Sequence, residues 1–117
     1  RKTALVSNAD VTEIVAWKDA PAAPFFDTAV FSCDIGHVKP DPEIYYEALD
    51  RLGVSAADAV FVGDGACNEL KGAQDVGITT VMMAGYLKRF APHKIEQRSP
   101  HADYVVYDLR DLLKAGG

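Results

Sequence analysis

The 117 residues hold only two cysteines and one tryptophan, and no apolar run approaches the roughly 18 residues that a membrane-spanning helix needs. Cys33 and Cys67 cannot build a disulfide framework, so the chain reads as a reduced, cytoplasmic protein that depends on a packed core. Positive charge is also scarce: 12 Lys and Arg stand against 17 Asp and Glu, a net charge of −5. That balance repels nucleic-acid phosphates and argues against nucleic acid as a partner, just as the short apolar runs argue against a membrane. No signal peptide is expected, and internal repeats and low-complexity tracts are missing too. So is an initiator Met; Arg1-Lys2 opens straight onto an apolar run, and the expectation is a piece cut from something longer.

What is present is the material of one globular domain, 1–117, with 49% apolar and 25% charged residues. Thr3-Ala4-Leu5-Val6 reads as a buried strand ending at Ser7-Asn8, and Val11 to Lys18 as a short helix closed by Pro21 and Pro24. Thr28 to Phe31 predicts a second strand, and Cys33 to Lys39 a loop. Asp41-Pro42 starts a helix whose apolar face is Ile44, Ala48, Leu49 and Leu52, with Gly53 as its stop. Ala59 to Val62 predicts a third strand, about Cys67 to Asp75 a helix stopped by Gly77, and Ile78 to Met83 a fourth strand. Ala84 to Asp103 carries no clear period and reads as surface chain. Tyr104 to Tyr107 predicts a last strand and Leu109 to Lys114 a last helical turn or two. Strands alternating with amphipathic helices imply an α/β fold, a parallel sheet covered by helices. Ligands of such sheets bind beyond the C-terminal strand ends, so the polar residues there carry the functional argument.

Three strand ends stand out. Ser7 can donate its hydroxyl to a phosphoryl oxygen from a rigid strand tip, although Ser-Asn at such a place is also ordinary turn chemistry. Lys39, in Gly36-His37-Val38-Lys39-Pro40-Asp41-Pro42, is held near a proline-started helix, where its ammonium can neutralise a transferring phosphoryl group; the bland alternative is a solvated lysine. Gly63-Asp64-Gly65-Ala66-Cys67-Asn68-Glu69 places one carboxylate at a strand tip and a second about one turn into the next helix. Two hard oxygen ligands at that spacing suit Mg²⁺, and the flanking glycines let the backbone approach; a glycine-rich turn with a capping Asp is the alternative.

In this order, each at the end of an apolar strand or just before a helix, the segments resemble the second, third and fourth motifs of the haloacid-dehalogenase-like (HAD) hydrolase superfamily. The resemblance runs from Lys2 to about Met83, with a similar tail at Ala102-Asp103-Tyr104-Val105-Val106. It implies a Rossmann-like three-layer sandwich and a magnesium-dependent hydrolase, a phosphatase acting on a small phosphorylated substrate through an aspartyl-phosphate. It implies Ser7, Asn8 and Lys39 on the substrate side, with Ser7 and Lys39 in catalysis. It also implies Asp64 and Glu69 on Mg²⁺, with Gly63, Gly65 and Asn68 supporting them. Haloacid dehalogenases, which need no metal, phosphomutases and non-catalytic binding relatives share the pattern.

The departure from that family is large. No Asp-x-Asp-x-Thr follows an apolar strand, and Asp10-Val11-Thr12 has Asn8 where the nucleophilic Asp belongs. The first, central strand and the inserted cap domain are both expected to be missing. The strands ending at Ser7 and Gly63 would then lose their shared neighbour. The gap is expected to be closed by an N-terminal segment, by another chain as in a dimer, or by direct pairing of the two strands. A dinucleotide-binding reading fails because Asn68 stands in for the third glycine and Asp64 repels a pyrophosphate. A phosphoryl-receiver reading fails because its lysine comes late in the chain. His37, His93 and His101 are too scattered for zinc, and Lys88, Arg89, His93 and Lys94 read as a solvated loop.

Overall fold

A computed structural model describes residues 2–9, 11–17, 19–108 and 110–111. Its strands form two parallel sheets instead of one. In the first, β1 (Ala4–Ser7) pairs with β2 (Thr28–Phe31), Ala4 opposite Thr28 and Ser7 opposite Phe31. The crossover between them contains α1 (Val11–Trp17). Trp17 anchors it through edge-on contacts with Phe26 and Phe31 at 5.6 and 6.3 Å between ring centres. The pair is clipped at its start, where the Thr3 N–H donates to the Asp27 carboxylate at 2.6 Å.

The second sheet has the order β3 (Val60–Gly63), β4 (Thr79–Met83), β5 (Tyr104–Val106). Val60 lies opposite Thr79, and Val81 opposite Tyr104. The fully buried Thr80 ties the approach to β5 onto β4: its N–H donates to Asp103 and its hydroxyl to the His101 carbonyl.

The core between the sheets is built by α3 (Pro42–Leu52), which buries Ile44, Tyr45, Ala48 and Leu49 against Val30, Ala73 and Ile78. Leu52, expected on that face, is only half-buried, and Tyr45 takes the deep position, one step round the helix. Gly53 ends α3 in the left-handed conformation at φ 67°, which a residue without Cβ adopts at no steric cost.

Two stretches differ from the sequence expectation. The loop after β2 begins with one helical turn, α2 (Ser32–Ile35). The stretch from 84 to 103 is not irregular: it contains α5 (Gly85–Phe90), α6 (His93–Arg98) and a 3₁₀ turn at Ser99–His101. These helices are six residues long, and α5 buries only Leu87 while Tyr86 and Phe90 stay exposed, so no period could emerge. The turn expected from Leu109 to Lys114 lies largely outside the described residues, as does Asp10. No helix among the described residues is long and apolar enough to cross a membrane.

Among the described residues β1 is paired only with β2, and β3 only with β4. They do not pair with each other, and a cleft of about 1080 Å³ separates them, walled by Leu5, Val6, Phe61 and Val62 and floored by Tyr45 and Leu49. Lys39 and Glu69 also line it, Glu69 being packed against Gly63 at the C-terminal tip of β3.

Candidate active site

Glu69 is the first residue of α4 (Glu69–Asp75), and its carboxylate folds back beneath the tip of β3. Both of its oxygens are engaged: Oε1 receives the Lys39 ammonium at 2.7 Å and Oε2 the Gly65 N–H at 3.0 Å. The pair is secluded, with 14% of the Lys39 side chain and 8% of the Glu69 side chain exposed. The Lys39 ammonium also lies 5.8 Å from the centre of the Phe61 ring, a cation–π distance.

The backbone explains why these residues are reached. Cys67 and Asn68 both have positive φ, 57° and 56°, in the 3₁₀ turn that leads from the β3 tip into α4. Two consecutive non-glycine residues in that region are unusual, and Asn is among the residues that enter it most readily. Asn68 is exposed, and what it supplies at this point is that turn. Gly63 is required by close approach, since a Cβ there would run into the Glu69 carboxylate.

Lys39 is placed from its other side by Asn8. The Asn8 amide oxygen accepts the Lys39 N–H at 2.7 Å, and its amide nitrogen donates to the Lys39 carbonyl at 3.3 Å. One side chain therefore clasps one residue's backbone at both ends, just before the cis Lys39–Pro40 peptide. Ser7, at the end of β1, precedes Asn8 and so lies at the same end of the sheets. The loop beyond it is held by the buried Ser32, whose hydroxyl accepts the Ala9 N–H at 2.9 Å and donates to the Ala9 carbonyl at 3.2 Å.

Asp64 turns the other way. Its side chain is 53% exposed, and Oδ1 accepts the Ala66 N–H at 2.9 Å. Arg98, from the end of α6, donates to the Asp64 backbone carbonyl at 3.1 Å and sets its guanidinium 3.7 Å from Oδ1. The structure thus brings Asn8, Lys39, Glu69 and Gly65 into one bonded chain that ends beside Asp64. An exposed carboxylate at a strand tip is the kind of hard oxygen donor that a divalent cation takes. Asp64 offers the open oxygen, while Glu69 has a partner on each of its own.

Three contributors escaped sequence reasoning. Ser32 carried the same signal as Ser7, a hydroxyl directly after an apolar strand. Tyr45 donates its buried hydroxyl to the Glu69 carbonyl at 2.7 Å and props the start of α4; burial, and then the Glu69 charge, push its phenol above the ordinary range. Arg98 had no distinguishing signal among its basic neighbours. His37, read as scattered, lies 4.0 and 3.7 Å from the Asp41 and Glu43 carboxylates, an exposed group at the start of α3.

Residues 1–77 match the family described as haloacid dehalogenase-like hydrolase. Glyceraldehyde 3-phosphate phosphatase of Methanopyrus kandleri is 46% identical over 94 residues, 76% of this chain and 37% of that protein. The crystal structure of a HAD phosphatase from Thermococcus onnurineus superposes with a TM-score of 0.82 at 28% identity, covering 99% of this chain and 50% of that one. A HAD-hydrolase from Bacillus subtilis, bound to magnesium, superposes with a TM-score of 0.77 at 26% identity, covering 97% and 48%. The chain therefore spans about half or less of the length of these relatives.

Proposed function

The chain belongs to the haloacid dehalogenase-like hydrolase family, and from that membership we propose that it supplies the supporting half of a magnesium-dependent phosphatase site for a small phosphate monoester. The observation that carries this reading is the secluded Lys39–Glu69 pair at the β3 tip, one residue from the exposed Asp64 turn. Lys39 and the Ser7 hydroxyl hold phosphoryl oxygens. The Lys39 ammonium is aimed by Glu69, and its backbone is fixed by Asn8. Asp64, with Glu69 behind it, holds Mg²⁺, which when bound would offset negative charge on the phosphoryl group.

The nucleophilic carboxylate comes from outside these 117 residues. The cleft between β1 and β3 supports this: among the described residues neither strand has a second partner, and its apolar walls suit one extended strand. A strand there satisfies both rows of backbone groups and brings its C-terminal end beside Lys39 and Glu69.

The test is hydrolysis of an aryl phosphate with and without magnesium. In the intact protein Lys39→Ala is expected to lower turnover at least about a hundredfold, the scale of losing one electrostatic stabiliser. Near-normal turnover would reduce Lys39 to a structural residue, aryl phosphate hydrolysis that survives chelation would overturn the magnesium assignment, and metal-independent halide release from a haloacid would favour a dehalogenase. The 117 residues alone are expected to be inactive; steady turnover by them would point to Asp10 or the exposed Asp34 as nucleophile.

A further inference from the structure

Each acid at the β3 tip has a cationic partner of its own. Glu69 is bonded to Lys39, whereas Asp64 is faced by Arg98, which reaches it across 34 positions of sequence. Arg98 is not a loosely solvated surface residue. Its side chain is only 20% exposed, and its stem lies over Gly65 so closely that a Cβ there would come within 3.0 Å of the Arg98 Cβ and Cδ. What its guanidinium brings to Asp64 is a delocalised positive charge.

That charge does not orient the carboxylate. The Ala66 N–H already holds Oδ1 at 2.9 Å, while the shorter Arg98 contact, at 3.1 Å, goes to the Asp64 backbone carbonyl. What Arg98 adds at the carboxylate is a unit positive charge 3.7 Å from Oδ1. A divalent cation arriving at Asp64 must compete with it.

We propose that Arg98 is the counter-ion of Asp64, and that a divalent cation binds there by displacing the guanidinium from the carboxylate, so that Arg98 sets the cation affinity. The inference rests on the reading of Asp64 as a cation ligand. The bond to the Asp64 carbonyl retains Arg98 beside the turn during the exchange, which couples α6 to the loading of the site.

The probe is Mn²⁺, titrated into the intact protein at low ionic strength and followed by electron paramagnetic resonance. R98M keeps a stem over Gly65 and removes the charge; it is expected to bind Mn²⁺ at least about fivefold tighter, an advantage that shrinks at high salt. R98Q, which keeps a donor for the Asp64 carbonyl, is expected to tighten binding in the same way, and R98K to restore most of the original affinity. Equal or weaker Mn²⁺ binding in both neutral variants would overturn the proposal. Asp64→Asn separates the two layers. If it abolishes Mn²⁺ binding while the neutral Arg98 variants change nothing, only the counter-ion role fails. If it leaves Mn²⁺ binding intact, Asp64 is not the ligand and both readings fall.

Discussion

The Lys39–Glu69 pair permits a quantitative test of how the site is held. At 2.7 Å and almost excluded from water, the two charges attract each other strongly, but much of that gain offsets the cost of desolvating them. The net worth of the pair is therefore small, while the cost of leaving either partner alone is large. Lys39→Met strands a buried carboxylate whose remaining hydrogen bond is the one from Gly65, at a cost of about 3–5 kcal/mol. Glu69→Gln keeps an oxygen for the Gly65 N–H but turns an amide against the Lys39 ammonium, which can swing into the open cleft, so it costs about 2–3 kcal/mol. The double variant leaves no unpaired charge and should lose only about 1–2 kcal/mol, giving a coupling of roughly 5 kcal/mol. Urea unfolding at equilibrium measures all four proteins, and a shared slope verifies that the unfolding reaction has not changed. Single losses that add up in the double variant to within about 0.5 kcal/mol would refute the argument. The two residues would then be neighbours without mutual dependence.

Gly63→Ala is expected to displace the Glu69 carboxylate, which cannot yield freely because it is bonded at both oxygens. A loss of about 1–3 kcal/mol in urea, of which Glu69→Gln in the same background removes a part, would support this; a neutral Gly63→Ala would contradict it. Tyr45→Phe is expected to cost about 1–2 kcal/mol at pH 8, through the lost bond to the Glu69 carbonyl. Because burial and then the Glu69 charge raise the folded-state pKa of this phenol, its contribution is complete below about pH 10, where the unfolded tyrosine stays protonated, and fades as pH rises beyond that. The gap between the original protein and Tyr45→Phe in urea midpoint should therefore hold steady up to about pH 10 and narrow as pH rises beyond it; a gap that does not narrow above about pH 10 would refute the assignment.

Local pattern was enough for the skeleton of the fold. Four-residue apolar runs became β1, β2 and β3 to within a residue, because a strand end is marked by the switch from apolar to Ser-Asn or Gly-Asp-Gly chemistry. The start and stop of α3 were legible because Pro42 and Gly53 act through backbone geometry alone. The helices α5 and α6 were not, since a six-residue helix with one buried side chain leaves no period to detect.

The site divides along the same line. That Ser7 and Asp64 sit at strand ends, with Lys39 shortly before one helix and Glu69 at the start of another, follows from the sequence, because such places answer to backbone direction. Which of them bond to each other does not. Glu69 finds Lys39 across 30 positions, and Asp64 finds Arg98 across 34, while Asn8 uses its whole amide on the Lys39 backbone. Those pairings exist because α3 and α4 pack together over the β3 tip and α6 lies over the Gly65 turn, and packing between distant segments is settled by shape and burial, which no local period records. The separation of β1 from β3 is of the same kind: each strand was readable alone, and only the assembled sheets show that, among the described residues, the two do not pair and both line one cleft.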